Sequence, residues 1–254
     1  MFIMENAKSF SDVSLDQFVQ DFSQGALLAW SGDTNLMSIA KKQFRLLNQF
    51  KTQRKRVVHI QKHISLVHQH QSVTSLHMVC VDKPFITNSV FNAIRRLGLE
   101  VEITQTNVIA HSEGDCVYSL WVEFNKQLDS DEVHSLKSMV TGVCKDINQA
   151  VRDWRPMQKR LATVTDSWCH HATDYEHTEA MSEITQFIEW LQDYFTFLGV
   201  RSYRYTDGSA QFIDGSGLGL LRHQPKHATK SWLNEVPAHF EHDSPTDALF
   251  LFSK

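Results

Sequence analysis

The sequence predicts an α+β fold: a ferredoxin-like β-α-β-β-α-β sheet with its helices on one face. Three observations between Val73 and Phe124 predict it. Leu76, Met78 and Cys80 alternate as on one face of a strand, then Ile86, Val90, Ile94 and Leu97 recur at helical spacing. Alternation returns at Val101 and Ile103, and again at Tyr118, Leu120, Val122 and Phe124 beyond a turn at Glu113-Gly114-Asp115. A second helical stripe follows at once, from Val133 through Leu136, Val140, Val143 and Ile147 to Val151 and Trp154. A strand-helix-strand-strand-helix order of this kind closes into an antiparallel sheet backed by two helices.

The elements follow in chain order. Residues 1–56 form an N-terminal helical segment. Leu15, Phe18, Val19 and Phe22 share one helical face; Gly32 ends the segment, and Asp33 can cap a second helix carrying Leu36, Ile39, Ala40, Leu47 and Phe50. The basic cluster Lys51, Arg54, Lys55 and Arg56 then complements a helix end, its carbonyls carrying partial negative charge. Residues 57–157 form the sheet domain. It opens with extended sequence rich in Val and Ile that bears His59, His63, His68 and His70. On a strand the pair His59 and His63 lies about 13 Å apart, and no cysteine or carboxylate cluster completes a metal set, so these read as surface histidines. Asp82 and Pro84 mark a helix start, and Gly98 its end. The next helix begins near Asp129, with Glu132 three residues on, a capping-box spacing, and Pro156 ends or kinks it.

Residues 158–177 read as a polar linker that includes Cys169-His170-His171. Residues 178–254 read as a long helix and the start of a second α+β domain. Met181, Ile184, Ile188, Leu191, Phe195 and Leu198 stripe that helix, with Gly199 as terminator. Strands follow at 200–205 and 210–213, then a glycine-rich turn at 215–219, a polar loop at 223–247 and a closing hydrophobic strand, Ala248 to Phe252. A chain ending on such a strand is expected to be cut from something longer.

Bulk properties exclude several function classes. The 254 residues carry a net charge of −4 and 42% hydrophobic residues, with a pI near 6.4; a polyanion-binding domain is usually basic. No run approaches the ~20 apolar residues that span a bilayer, and the N-terminus lacks the features of a signal peptide, so a cytoplasmic protein is expected. Cys80, Cys116, Cys144 and Cys169 form no C-x-x-C pair, and Cys80 and Cys144 read as small buried hydrophobes.

Catalytic motifs are not found. A dinucleotide fingerprint needs G-x-G-x-x-G; at 215–219 the third glycine comes one place early, Leu220 stands in its stead, and a polar loop replaces the helix. Gly215-Ser216-Gly217 lacks the spacing of a nucleophile elbow. The stretch from Asp82 to Ser89 is the candidate site. A helix N-terminus attracts a small anion such as an amino-acid carboxylate, and Asp82, Pro84, Phe85, Asn88 and Ser89 are the candidate effector-binding residues. Capping plus core packing is the plainer reading and the favoured one. A ferredoxin-like RNA binder would need exposed aromatics on an open sheet face, for which Trp121 is the one strong candidate on strand 117–124.

Four segments, in order, resemble one family. Val81-Asp82-Lys83-Pro84-Phe85-Ile86-Thr87-Asn88-Ser89-Val90 resembles the D-x-P-F-L-V-D-S-V stretch of the large bacterial NAD-specific glutamate dehydrogenases. Asp153-Trp154-Arg155-Pro156-Met157 is similar to their D-W-R-P-M, and the run from Phe187 to Gly199 to their F-L-x-W-L-x-x-x-x-F-x-F-L-G. Gly215-Ser216-Gly217-Leu218-Gly219-Leu220-Leu221 is similar to their G-S-G-L-G-L-L. Asn88 departs from the family's aspartate and Thr87 from its valine, which weakens the ligand reading of that loop. The resemblance implies a non-catalytic N-terminal regulatory or assembly region with ACT-like domains. The implied parent converts L-glutamate, NAD and water to 2-oxoglutarate, ammonium and NADH, as a homo-oligomer. NAD and the catalytic residues belong to a downstream catalytic region of the same chain, so this segment is expected to be inactive, with no catalytic, cofactor-binding or metal-binding residue of its own. The alternative is a free-standing ACT-like sensor that binds an amino-acid effector.

Overall fold

A computed structural model describes residues 14–25, 34–68, 70–110, 116–172, 178–206, 209–223 and 247–253. The sequence readings at Gly32, Asp33, 113–115, 207–208 and most of the 223–247 loop lie outside these residues. The chain divides into two compact units, Met1–Cys144 and Lys145–Lys254.

The first unit holds helices α1 (Leu15–Gly25) and α2 (Thr34–Gln53), strands β1 (Val57–Ile64) and β2 (Ser72–Val81), helix α3 (Ile86–Arg96), strands β3 (Val101–Ala110) and β4 (Cys116–Phe124), and most of helix α4 (Ser130–Arg152). The four strands form an antiparallel sheet in the order β1-β2-β4-β3. The α+β class holds, with one difference in connectivity. The strand beside β2 comes from the preceding hairpin, through β1, instead of from chain after α4. The Val and Ile of residues 57–64 supply the β-branched content that a strand favours, and a short turn is enough to pair β1 with β2.

The central strands are buried on both faces. Every residue from Val73 to Cys80 and from Val117 to Phe124 is buried. Even-numbered residues such as Met78 and Tyr118 face α3 and α4: Met78 Sδ lies 3.8 Å from Cys144 Sγ, and Thr87 Oγ1 donates to Tyr118 Oη at 3.0 Å. The opposite face meets α1 and α2, where Phe18, Phe22, Leu36, Ile39, Leu47 and Phe50 form one core with Val57, Val79, Val117 and Trp121. The helical stripe predicted for residues 15–50 is therefore the second layer of the sheet domain and does not stand apart from it. Trp121 is fully buried there, so it does not supply the exposed aromatic platform that an RNA-binding reading requires of this sheet.

Local signals explain the end of α3 and the start of α4. Asp129 Oδ1 accepts from the N–H groups of Asp131 and Glu132, and Glu132 Oε2 accepts from Asp129 N at 3.0 Å, a reciprocal capping box. At the end of α3, Gly98 takes φ 67°, its N–H reaching Arg95 O and that of Leu99 reaching Ile94 O, the pair of bonds that closes a Schellman turn. Thr74 ties the entry of α4 to β2, accepting from Leu128 N at 2.9 Å.

The second unit holds helices α5 (Trp154–Ala172) and α6 (Thr178–Tyr194) and strands β5 (Thr196–Thr206), β6 (Ser209–Phe212), β7 (Leu218–Gly219) and β8 (Asp247–Ser253). Strand β5 is central, pairing antiparallel with β6, β7 and β8. Three sequence expectations change here. Residues 158–172 are helical, so the predicted linker is mostly α5. Pro156 sits in the first turn of that helix, where its missing N–H costs nothing. Helix α6 stops at Tyr194, and Phe197 to Gly199 belong to β5. Gly199 is a strand residue whose added Cβ would meet Leu221 Cγ at 2.9 Å; it terminates no helix. Met157, Leu161, Ile188, Phe197 and Val200 form this unit's core.

Candidate functional site

The predicted loop lies at the end of β2. Asp82 N donates to Cys116 O at 2.7 Å, which fixes the loop beside the start of β4. Asp82 is half-buried; desolvation raises its carboxyl above the usual range, opposed by a hydrogen bond from the Lys83 backbone. Its carboxylate does not cap α3 as the sequence suggested. The cap position belongs to Phe85, in the left-handed region (φ 68°, ψ −1°) with no side-chain cap bond. Phe85 is 51% exposed. An exposed aromatic in a conformation that costs about 1 kcal/mol or more in non-glycine residues is the kind of local strain that clusters at ligand sites. Pro84 and Asn88 are exposed and Ser89 is half-buried. The five predicted residues therefore share one short loop and helix start.

A second polar cluster, not foreseen as a unit, lies under α1 and α2. In register across the sheet stand His59, His77, Trp121 and Gln105, with Ser75 and Glu123 paired in the next row. Gln43 of α2 reaches down to them. Its Nε2 donates to Ser119 Oγ at 2.8 Å, and its Oε1 lies 2.8 Å from His77 Nδ1. An amide oxygen only accepts, so His77 carries its proton on Nδ1, leaving Nε2 to accept from Ser75 Oγ at 3.2 Å. Every polar atom of the His77 ring is thus paired in the neutral state. Burial first, then nearby His59, His63 and Lys42, holds His77 down to about 3.

Glu123 is fully buried. Ser65 Oγ donates to its Oε1 at 2.6 Å and Leu66 N to its Oε2 at 3.3 Å. His63 Nε2 stands 3.5 Å from Oε2. His59 and His63, expected at the surface, in fact lie on the covered face. What disguises this cluster in the sequence is that Ser75, His77, Ser119 and Glu123 occupy the polar phase of alternating strands, the phase that normally meets water.

Among the described residues, no group of three or more His, Cys, Asp or Glu side chains is placed to hold a metal ion. Burial pushes the Cys80 thiol up to about 12 and that of Cys144 upward as well, so neither offers a ready thiolate. No described helix is long and apolar enough to cross a membrane.

Two of the family-like segments meet in the second unit. Asp153 accepts from Arg222 Nε at 2.8 Å, Arg222 Nη2 at 2.7 Å and Gly219 N at 2.8 Å. The forked contact with Arg222, followed by lesser contributions including the Gly219 N–H, holds the Asp153 carboxyl down to about 2. The D-W-R-P-M and G-S-G-L-G-L-L segments are therefore two halves of one structural clamp.

A four-stranded antiparallel sheet with α3 and α4 on one face defines an ACT-like α+β domain. Residues 15–115 match the family described as "Glutamate dehydrogenase, ACT1 domain". The match runs from the first residue of α1 to just before β4, so α1 and α2 belong to the domain, as their shared core with the sheet requires. The chain is also 26% identical over 176 residues to the NAD-specific glutamate dehydrogenase of Pseudomonas aeruginosa, covering 60% of this chain and 11% of that protein. It thus spans about a tenth of the length of that relative.

Proposed function

We propose that this chain is a non-catalytic regulatory and assembly region of an NAD-specific glutamate dehydrogenase. The parent reaction would be L-glutamate, NAD and water going to 2-oxoglutarate, ammonium and NADH. NAD binding and catalysis fall to a downstream catalytic region, in a cytoplasmic homo-oligomer. The observation that carries this reading is the ACT1 match over residues 15–115, joined to a fold whose polar clusters serve packing. The strained, exposed Phe85 beside the desolvated Asp82 favours a second reading, in which the 82–89 loop takes a small amino-acid effector and the chain works as a free sensor.

Calorimetric titration of the isolated chain with amino acids separates the two. Saturable binding that is lost in Asp82→Ala supports the sensor. No binding, together with loss of oligomer assembly when residues 15–124 are removed from the longer protein, supports the assembly role. Binding unchanged in Asp82→Ala removes the loop from either account.

A further inference from the structure

Helix α6 carries two apolar stripes, and α5 and β5 cover one of them. Ile188 lies in the core with Met157, Leu161, Phe197 and Val200. Phe187, Trp190 and Tyr194, in contrast, are 56%, 45% and 66% exposed. At about 100° per residue these three fall within one arc of about 60°, roughly 130° round the helix from Ile188. Their rings form a ladder. Phe187 stacks on Trp190 with centroids 5.9 Å apart, and Trp190 meets Tyr194 at 5.8 Å. Phe195 holds Trp190 edge-on at 5.1 Å. The ladder is ordered in advance, so a partner that lands on it loses little to immobilising side chains. Contiguous exposed aromatics mark interaction surfaces, and Trp and Tyr are the side chains that anchor them.

The charge around the ladder has one sign. Helix α6 contains Glu179, Glu183, Glu189 and Asp193 and no lysine, arginine or histidine. Glu183, Glu189 and Asp193 are exposed. Glu183 falls in the same arc as the rings, one turn before Phe187, and Asp193 and Glu189 flank the arc on the side away from Leu191. Among the described residues, none of these three carboxylates is paired with a cation. The C-terminal carbonyls of α6 add partial negative charge, and its last turn holds no basic residue to offset it.

That sign selects the occupant. Anionic headgroups and nucleic-acid phosphates carry the same charge as the face. A two-fold pairing of α6 with α6 of a second copy sets these carboxylates against each other. We propose that the Phe187, Trp190 and Tyr194 face of α6 is a docking surface for a cationic amphipathic protein segment. Apolar side chains of that segment lie on the rings. Its arginine or lysine side chains lie beside Glu183, Glu189 and Asp193 and over the Trp190 face, where the ring's negative quadrupole attracts a cation. The inference does not depend on the glutamate dehydrogenase reading.

The test uses the full 254-residue chain and a helical Leu/Lys peptide of about 18 residues, with Leu at the spacing of one helical face. Calorimetry should show saturable one-to-one binding, and the same peptide with Glu in place of Lys should not bind. Trp190→Ala and the pair Glu189→Gln/Asp193→Asn should each weaken binding about tenfold. Trp190→Phe should recover part of the loss, and Asp131→Asn/Asp146→Asn, which removes the same charge from exposed positions on α4, should leave binding unchanged. Amide exchange should slow on peptide addition across residues 183–194. Absence of saturable binding by the wild type would overturn the proposal. Equal weakening by the α4 pair, or slowed exchange elsewhere in place of 183–194, would do the same. Self-association, or binding to phosphatidylcholine vesicles, that is lost in Trp190→Ala would assign the face to a second copy or to a membrane instead.

Discussion

Phe85 and His77 show opposite uses of a constrained side chain. Phe85 is strained and exposed, so its conformation is not repaid by burial. Phe85→Gly should raise stability by about 1 kcal/mol, read as a higher urea midpoint, because glycine takes positive φ freely. A loss of stability would mean the ring packs on something. His77 is buried, and neutral by construction. The unfolded chain binds a proton near the ordinary histidine value of 6.5, whereas the folded chain resists protonation down to about 3. Stability from this residue is therefore full above pH 6.5 and is lost as pH falls from there toward 3. His77→Gln should remove up to one proton's worth of that slope, about 1.4 kcal/mol per pH unit, measured by urea unfolding across that window. An unchanged slope would place the histidine's proton elsewhere.

Elements were legible where one periodicity ruled, and illegible where two fitted. The stripes of α1, α2, α3 and α4 and the capping box at Asp129 could be read directly, because helical spacing and cap chemistry are local. The polar phases of β2 and β4 were not, since nothing local distinguishes a serine facing water from one facing Gln43. The end of α6 misled for a related reason. Phe195 and Leu198 continue a helical stripe, but pairing of β5 with β7 and β8 takes Phe197 onward into a strand. The helix start after β2 was legible, although its cap was assigned to the wrong residue. In the second unit, the glycine turn is dictated by close approach. A Cβ on Gly219 would stand 2.2 Å from Leu198 O at φ +57°, whereas one on Gly215, at φ +74°, meets nothing within 4 Å. Gly219→Ala should thus cost well over 2 kcal/mol and Gly215→Ala only about 1 kcal/mol, compared by thermal unfolding. Equal costs would mean that backbone conformation alone matters. Asp153→Asn should destabilise this unit by about 2–3 kcal/mol, since it removes the charge from a buried, forked contact. In the wild type, the contribution of Asp153 is present above about pH 4 and is lost toward pH 2; the variant should show no such loss.

At the scale of the whole molecule, the first unit is a sheet covered on both faces. α1 and α2 are as much part of it as α3 and α4, and the ACT1 match takes in α1, α2, β1, β2, α3 and β3. Among the described residues, several polar side chains are engaged in structure: His77 and Gln43 join α2 to the sheet, Glu123 accepts from Ser65 and Leu66, and Asp153 clamps the glycine segment. The most direct measurement is NADH formation from glutamate and NAD by this chain alone, beside the full-length glutamate dehydrogenase proposed to contain it. The account predicts no turnover by the isolated chain and turnover by the longer protein. Glutamate-dependent NADH formation by the isolated chain would contradict it.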